Sequence, residues 1–598
     1  MTQAYDNPTF ANDKSVVANS TLAFTIDHKS DEYNAQTKKH GTTRDTWGKD
    51  VEFLLSCIAM AVGLGNVWRF PFTALRNGGA SFLIPYIIVL VLVGKPGYFL
   101  EMIMGQFSSR GTVKVYDSVP AMRGIGIGQT LCIMVVATYY SFIIGVISRY
   151  LFDSFSFTLP WSECNPNWNV SCYSSNGNNG SNVVMNGTTK SSAELYFFKE
   201  VLHERKLEDG IGMPNWNLVL FLFLSWAIVF FILFKGVKMS GKASYITGIA
   251  PFIFLAIFLV RALTLEGAWD GIEYLIKPRW GELLDPKVWY EACTQVFFTL
   301  NVFFVNVIMY ASYNKFEHNI HRDSNIVTTL DTLTSIVVGS ITFGIIGHLS
   351  HELNTPIETV IKSGPGLVFI TYPETISKFK FWPQLFSIMF FLMLYIIALG
   401  SLFAITSSAI TVIRDQFKKV KDWQAALGIA IFGTISGSIY TTPAGLSILD
   451  LVDHYCATFV IFILACFEIC TFCYIYGVDR ICNDVKFMLG FRPNIFWRTC
   501  WRYITPSILT ALVIYLLMKA KFIKDDASTF PASAHAVGVC IAVMGIIWLP
   551  IVFIWRVLKQ THEKTLIDKI KSACKPTKNW GPMDPVKNAR YKEYMATN

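Results

Sequence analysis

After residue 46 the chain is dominated by long apolar runs separated by short polar stretches. A bilayer core of about 30 Å is crossed by about 20 apolar residues in helical form. A window of that length predicts about twelve helices, at 51–72, 82–104, 131–152, 218–234, 244–263, 288–310, 326–346, 385–413, 425–439, 457–476, 504–518 and 534–554. Lipid offers no partner to the backbone, so a helix is the state that pairs every N–H and C=O within the segment. The alternation of a membrane β-barrel is absent from the runs. The pattern therefore predicts an all-α polytopic membrane protein. Residues 1–46 form a polar N-terminal tail, with no apolar stretch suited to a cleavable signal peptide. Helices one to five occupy 47–263, with a long loop at 158–214. Helices six to ten occupy 264–477, the last two 478–558, and a C-terminal tail 559–598.

Composition agrees with the pattern. Apolar residues make up 52% and charged residues 16%, against about 25% charged in soluble proteins. A secreted disulfide module, a disordered chain and a nucleic-acid binder are excluded as readings of the whole. The net charge of +9 has a different meaning here. Arg110, Lys114 and Arg123, then Lys235, Lys238 and Lys242, Arg414 to Lys421, and Arg480 to Arg502 fall in alternate loops, and the C-terminal tail adds more. Basic residues concentrate on cytosolic loops, which predicts a multi-pass plasma-membrane protein with both termini cytosolic and its basic excess facing anionic membrane lipid. The 158–214 loop would then be extracellular. It carries the glycosylation sequons at Asn169, Asn179 and Asn186, and its Cys164 and Cys172 are spaced for a disulfide in an oxidising space.

The candidate chemistry lies where the apolar pattern fails. The first span reads Ala59-Met-Ala-Val-Gly-Leu-Gly-Asn-Val-Trp-Arg-Phe-Pro71. Gly63, Gly65 and Pro71 weaken the helix, and Asn66 and Arg69 bring polar groups to membrane depth, where they are expensive and usually functional. Small residues also serve helix packing, but packing does not account for an Asn and an Arg. A break here would free backbone groups for an ion and an anionic ligand.

Gly65-Asn-Val-Trp-Arg-Phe-Pro71, Asn77-Gly-Gly-Ala80 and Pro85-Tyr86 together resemble the signature of the neurotransmitter sodium symporter family. Gln295-Val-Phe-Phe-Thr299, Tyr310-Ala-Ser-Tyr-Asn314, Thr334-Ser335, Ser401 and Glu468 extend the resemblance from about Arg44 to Trp555. Within that family the chain is most similar to the insect nutrient amino acid transporters. The resemblance implies inverted five-helix repeats, with helices one and six unwound at midplane. In the sixth span, bulky Phe303 stands where the family usually has Gly.

The resemblance also implies a ligand set. One sodium ion would use the Ala61 carbonyl, Asn66, Thr299, Asp331 and the substrate carboxylate. A second would use Ala59, Val62, Ile397, Gly400 and Ser401. Gly63, where monoamine carriers have Asp, leaves room for a carboxylate held near Gly63 and Gly65 with Tyr140 donating. Substrate would also meet Ala61 and Asn301, and its side chain Val136, Phe298, Phe304, Leu402 and Ile405. Chloride in family members lies at positions matching Tyr86, Gln295, Thr299 and Ser335. Asp331, where chloride-dependent members usually have Asn, supplies a fixed negative charge and implies weak or absent chloride dependence. Arg69 with Glu468 would form an outer gate, and Arg44 with Asp415 an inner one.

These expectations converge on a sodium-coupled symporter, not an enzyme, that imports neutral, mainly hydrophobic amino acids by alternating access, with self-association left open. A carrier of small amino acids such as glycine or GABA, and a transport-inactive relative acting as a scaffold, are the competing readings. Gly124-Ile-Gly-Ile-Gly128 has the letters of a dinucleotide motif but opens a membrane helix, so it reads as packing. Cys470-Thr-Phe-Cys473 lies in an apolar span without His and also reads as packing.

Overall fold

The computed structural model describes residues 45–597, apart from 169, 176–189, 206, 358–365, 380, 418 and 523–530. Its helices that matter here are, in order, α1 (Asp50–Ala61), α2 (Phe70–Arg76), α3 (Ala80–Val89), α4 (Lys95–Ser108), α5 (Arg123–Asp153), α6 (Trp216–Leu233) and α7 (Val237–Leu263). There follow α8 (Ala268–Ile276), α9 (Pro286–Leu300), α10 (Asn306–Ala311), α11 (Ile320–Leu353), α12 (Pro383–Gln416), α13 (Asp422–Gly437) and α14 (Gly445–Val452). The chain ends with α15 (Ile461–Cys470), α16 (Val478–Leu489), α17 (Thr505–Phe522), α18 (Ala532–Ile546), α19 (Trp548–Leu558), α20 (Leu566–Cys574) and α21 (Pro585–Thr597).

Each predicted apolar segment falls mainly on helix, with breaks at 62–63 and 301–305. Among the described residues, nine helices are long and apolar enough to cross a membrane, or ten if the pair bent by 40° at Ala61 to Gly65 counts as one. The predicted segments 288–310 and 425–439 fall short of that length. The first is cut between α9 and α10, and α13 has 16 residues. The tenth segment starts earlier than its apolar run, because α14 and the π turns from Asp453 carry the helix back through two acidic residues.

The molecule has apolar surface inside and out, as lipid requires. Trp161, Trp226, Trp501 and Tyr86 are fully buried, while Ile246, Val260, Ile435, Met544 and Ile554 are exposed on helix faces. α12 runs through the interior against α5, α7 and α13, and α5 packs along α6 and α19. The Gly124–Gly128 run explains the close approach of α5 to the C-terminal helices. A Cβ on Gly124 would lie 2.2 Å from the Trp548 carbonyl oxygen, and one on Gly128 would lie 2.3 Å from that of Gly545. Backbone thus fills the space that any side chain would need.

One end of the bundle carries the long loop after α5. There Cys164 and Cys172 form a disulfide with Cα atoms 6.0 Å apart, beside a short parallel pairing of β1 (Cys172–Tyr173) with β2 (Lys190–Ser191). The sequons Asn169, Asn179 and Asn186 lie outside the described residues. The other end carries the C-terminal tail, where the Thr577 N–H donates to the Asp117 carbonyl across 3.0 Å.

Candidate functional site: a cavity between two broken helices

The first break follows from its residues. α1 stops at Ala61, and Val62 turns out of the helix with ψ near 84°. The last carbonyls of a helix have no intrahelical partner, so this end presents oxygens. The Asn66 side chain then fixes the turn. Its Oδ1 accepts from the Gly63 N–H at 3.0 Å, and its Nδ2 donates to Asp331 Oδ1 at 2.8 Å and to Ser335 Oγ at 2.9 Å. Gln295 Nε2 holds the Gly65 carbonyl at 3.1 Å. Helix resumes through a π turn, Gly65–Arg69, which runs on into α2 with Pro71 as its second residue.

The second break is built differently. Asn301, Phe303 and Val305 have φ of 52°, 65° and 60°, a region unfavourable by about 1–2 kcal/mol per non-glycine residue. The β-branched Val305 is the most unusual of them. Buried polar side chains hold the strained peptides. The Phe303 N–H donates to Glu101 Oε2 at 2.8 Å, and Gln129 Nε2 donates both to the Phe303 carbonyl at 3.1 Å and to Glu468 Oε2 at 2.6 Å. The Phe303 ring turns away from the cavity, over Gly97 and beside Phe297 at 5.5 Å between centroids. Phe303 is therefore not part of the cavity wall. A Cβ on Gly97 would lie 3.0 Å from that ring, so glycine there makes room for it.

The breaks face each other, joined by Asn301 Nδ2 donating to the Met60 carbonyl at 3.1 Å. Between them lies a cavity of about 260 Å³, just under the roughly 300 Å³ at the small end of ligand sites. Ala61, Gly63, Gly65, Val136, Tyr140, Phe298, Asn301, Phe304 and Ile405 line it, as do Asn66, Thr299 and Ser401. Leu402 is fully buried in α12 and is not part of that wall. The Tyr140 hydroxyl is buried beside Ser401 and the Leu64 backbone.

The ion-ligand residues of the sequence reading also come together. Asn66 bonds Asp331, and Thr299 lies against Gly65. Asp331 is fully buried, and its Oδ2 has no partner. For the second set, a Cβ on Gly400 would lie 3.0 Å from the Ala59 carbonyl and one on Gly63 would lie 3.2 Å from Ser401 Oγ. Val62, at the first break, and Ile397, on α12, are both buried. Tyr86 donates to Ser335 Oγ at 3.4 Å, and Gln295 accepts from Thr299 Oγ1 at 3.0 Å through its carbonyl.

The gates need revision. Arg69 and Glu468 are not paired. Glu468 is fully buried behind the second break and bonded to Gln129, whereas the Arg69 guanidinium lies on the Phe298 ring, 4.1 Å from its centroid. Asp450 and Asp453 are the carboxylates that share the cavity wall with Arg69, and Tyr139 donates to Asp453 at 2.6 Å. Both acids precede the apolar run, which hid them as loop residues; their i, i+3 spacing on one helical face was the available signal. Gln129, a lone amide in an apolar helix, was a second missed signal. Arg44 lies outside the described residues; its proposed partner Asp415 accepts from the Gly111 N–H at 2.9 Å.

Facing broken helices around a mostly apolar cavity, with buried polar side chains holding the backbone at the breaks, define a secondary transporter. The chain belongs to the Sodium:neurotransmitter symporter family, which it matches over residues 44–560, and it is accordingly a transporter and not an enzyme. It is 44% identical over 570 residues to the Sodium-dependent nutrient amino acid transporter 1 of Drosophila melanogaster, covering 92% of this chain and 89% of that one. The protein of the same name from Drosophila pseudoobscura pseudoobscura is 45% identical over 576 residues, covering 94% and 88%. That from Drosophila yakuba is 45% identical over 576 residues, covering 92% and 90%.

Proposed function

We propose that this protein is a sodium-coupled symporter that imports neutral, mainly hydrophobic amino acids across the plasma membrane by alternating access. The observation that carries this reading is the division of the cavity wall. Polar groups gather at the two breaks and at one charged group of Arg69, Asp450 and Asp453, while Ile133, Val136, Ile143, Phe298, Phe304 and Ile405 form an apolar part of the wall. An α-carboxylate fits the first break, with Tyr140 as its hydroxyl donor, and a neutral apolar side chain fits the remainder. The relatives' printed name, a sodium-dependent nutrient amino acid transporter, supports the same substrate class.

Sodium is cargo here. One ion takes Ala61, Asn66, Thr299, Asp331 and the substrate carboxylate, a hard-oxygen set suited to it. Sharing a ligand makes ion and substrate binding reciprocal. The second ion takes Ala59, Val62, Ile397, Gly400 and Ser401. Asp331, with one oxygen already on Asn66 and the other unpartnered, supplies the negative charge that chloride would bring, so transport runs without chloride. The helices form two inverted repeats, α1 and α9 each opening one half with its break. The disulfide loop faces outside, and both tails face the cytosol.

The test is sodium-dependent uptake and current in oocytes across a panel of single amino acids. Current with leucine-like substrates that vanishes when sodium is replaced by choline supports the reading. Preference for glycine or GABA would shift it to the small-substrate carrier. No current with any amino acid at physiological sodium would leave a scaffold.

A further inference from the structure

The C-terminal tail forms a built surface where the last membrane helix ends. α19 closes with Trp555, Arg556 and Leu558, and both Arg556 and Lys559 lie over the Trp555 ring, at 4.8 and 5.1 Å. Tryptophan with flanking cations marks a headgroup level. α20 then folds back against the bundle. Its Ala573 is buried with Ala121 and Val557, and Ile570, Cys574 and Phe553 pack around them. The same stripe continues at i−3 and i−4 from Ile570 to Ile567 and Leu566, which pass the edge of the protein and are 64% and 67% exposed. A packed amphipathic helix whose apolar stripe overruns its support has apolar surface left for another phase.

The charge around this helix is one-sided. Residues 559–578 hold Lys559, Lys564, Lys569, Lys571, Lys575 and Lys578 against Glu563 and Asp568 alone. Behind them, Arg110 and Arg123 both pair with Asp117, Arg110 also feels the charge of Asp415, and Arg556 is near enough to repel Arg123. The Nε atoms of Arg123 and Arg556 are buried without an acceptor. This excess of cations at headgroup depth calls for the oxygens of an anionic group.

We propose that α20 is an interfacial anchor for anionic phospholipid: Leu566 and Ile567 enter the acyl boundary, and the surrounding Lys and Arg residues bind headgroup phosphates. This rests on the tail facing the inner leaflet, which is the anionic one. The occupant is lipid and not free phosphate, because the exposed apolar pair lies beside the cationic rim.

Hydrogen exchange of the full-length protein in nanodiscs tests it. Both faces of a disc have one composition, so the outcome depends neither on orientation nor on transport. Amides of 559–578 are expected to exchange at least about fivefold more slowly in discs of phosphatidylcholine with phosphatidylserine than in phosphatidylcholine alone, an effect that weakens with salt. Combined Lys564→Gln, Lys571→Gln, Lys575→Gln and Lys578→Gln, all at exposed positions, is expected to remove the difference, as is Leu566→Ser with Ile567→Ser. Unchanged exchange in the transmembrane helices would show that these variants are folded. Equal exchange of 559–578 in the two discs, full protection in the lysine variant, or protection by inorganic phosphate in phosphatidylcholine discs would overturn the proposal.

Discussion

Asp331 and Phe303 show how single residues set the chemistry of the two breaks. Asp331 is fully buried with one oxygen on Asn66 and the other unpartnered. Asp331→Asn removes a charge while keeping nearly the same shape. The expected result is a new chloride requirement: uptake by the variant falls several-fold in chloride-free medium, while wild-type uptake changes little. Complete loss of wild-type uptake without chloride would end the idea that this carboxylate replaces the anion. At Phe303, two effects oppose each other. Glycine would relieve about 1–2 kcal/mol of left-handed strain, but deleting a fully buried ring costs about 3–5 kcal/mol. The cavity term wins, so Phe303→Gly should lower stability by roughly 2 kcal/mol, read as a reduced thermal midpoint of the solubilised protein. A rise in that midpoint would mean that strain dominates.

At the scale of elements, the first break was legible because glycines, an asparagine and a proline interrupt one apolar run. The second was only partly so. Asn301-Val-Phe-Phe-Val305 contains no helix breaker, and the left-handed Phe303 among them is held by Glu101 and Gln129 from other helices. Tertiary hydrogen bonds leave no local trace in a sequence. The same limit applies to Glu468: a lone acid in a span announces importance but not the direction in which it points. Gln129→Leu would leave the Phe303 carbonyl and Glu468 without their donor, about 1–3 kcal/mol for each unmet buried group. Because the second break forms one wall of the cavity, the expected effect is a KM raised several-fold at normal surface expression. An unchanged KM with reduced surface protein would assign Gln129 to folding alone.

For the whole molecule, the all-helical membrane architecture was written in the apolar runs, whereas helix ends and gates were not, since polar residues at a helix end look like loop. Orientation is testable through the Cys164–Cys172 disulfide. On intact cells, an impermeant maleimide should label these two cysteines only after reduction, in a background lacking the exposed Cys540. Labelling that requires permeabilised cells would invert the topology. The seat of Arg69 on Phe298 has a kinetic consequence of its own. The ring that forms part of the cavity wall also carries the cation at the mouth of the cavity, so a solute that shifts the ring unseats the cation as well. Occupancy and closure then share one barrier, and bulkier cargo should trade residence time against turnover, the slowest-leaving solutes also being the slowest carried.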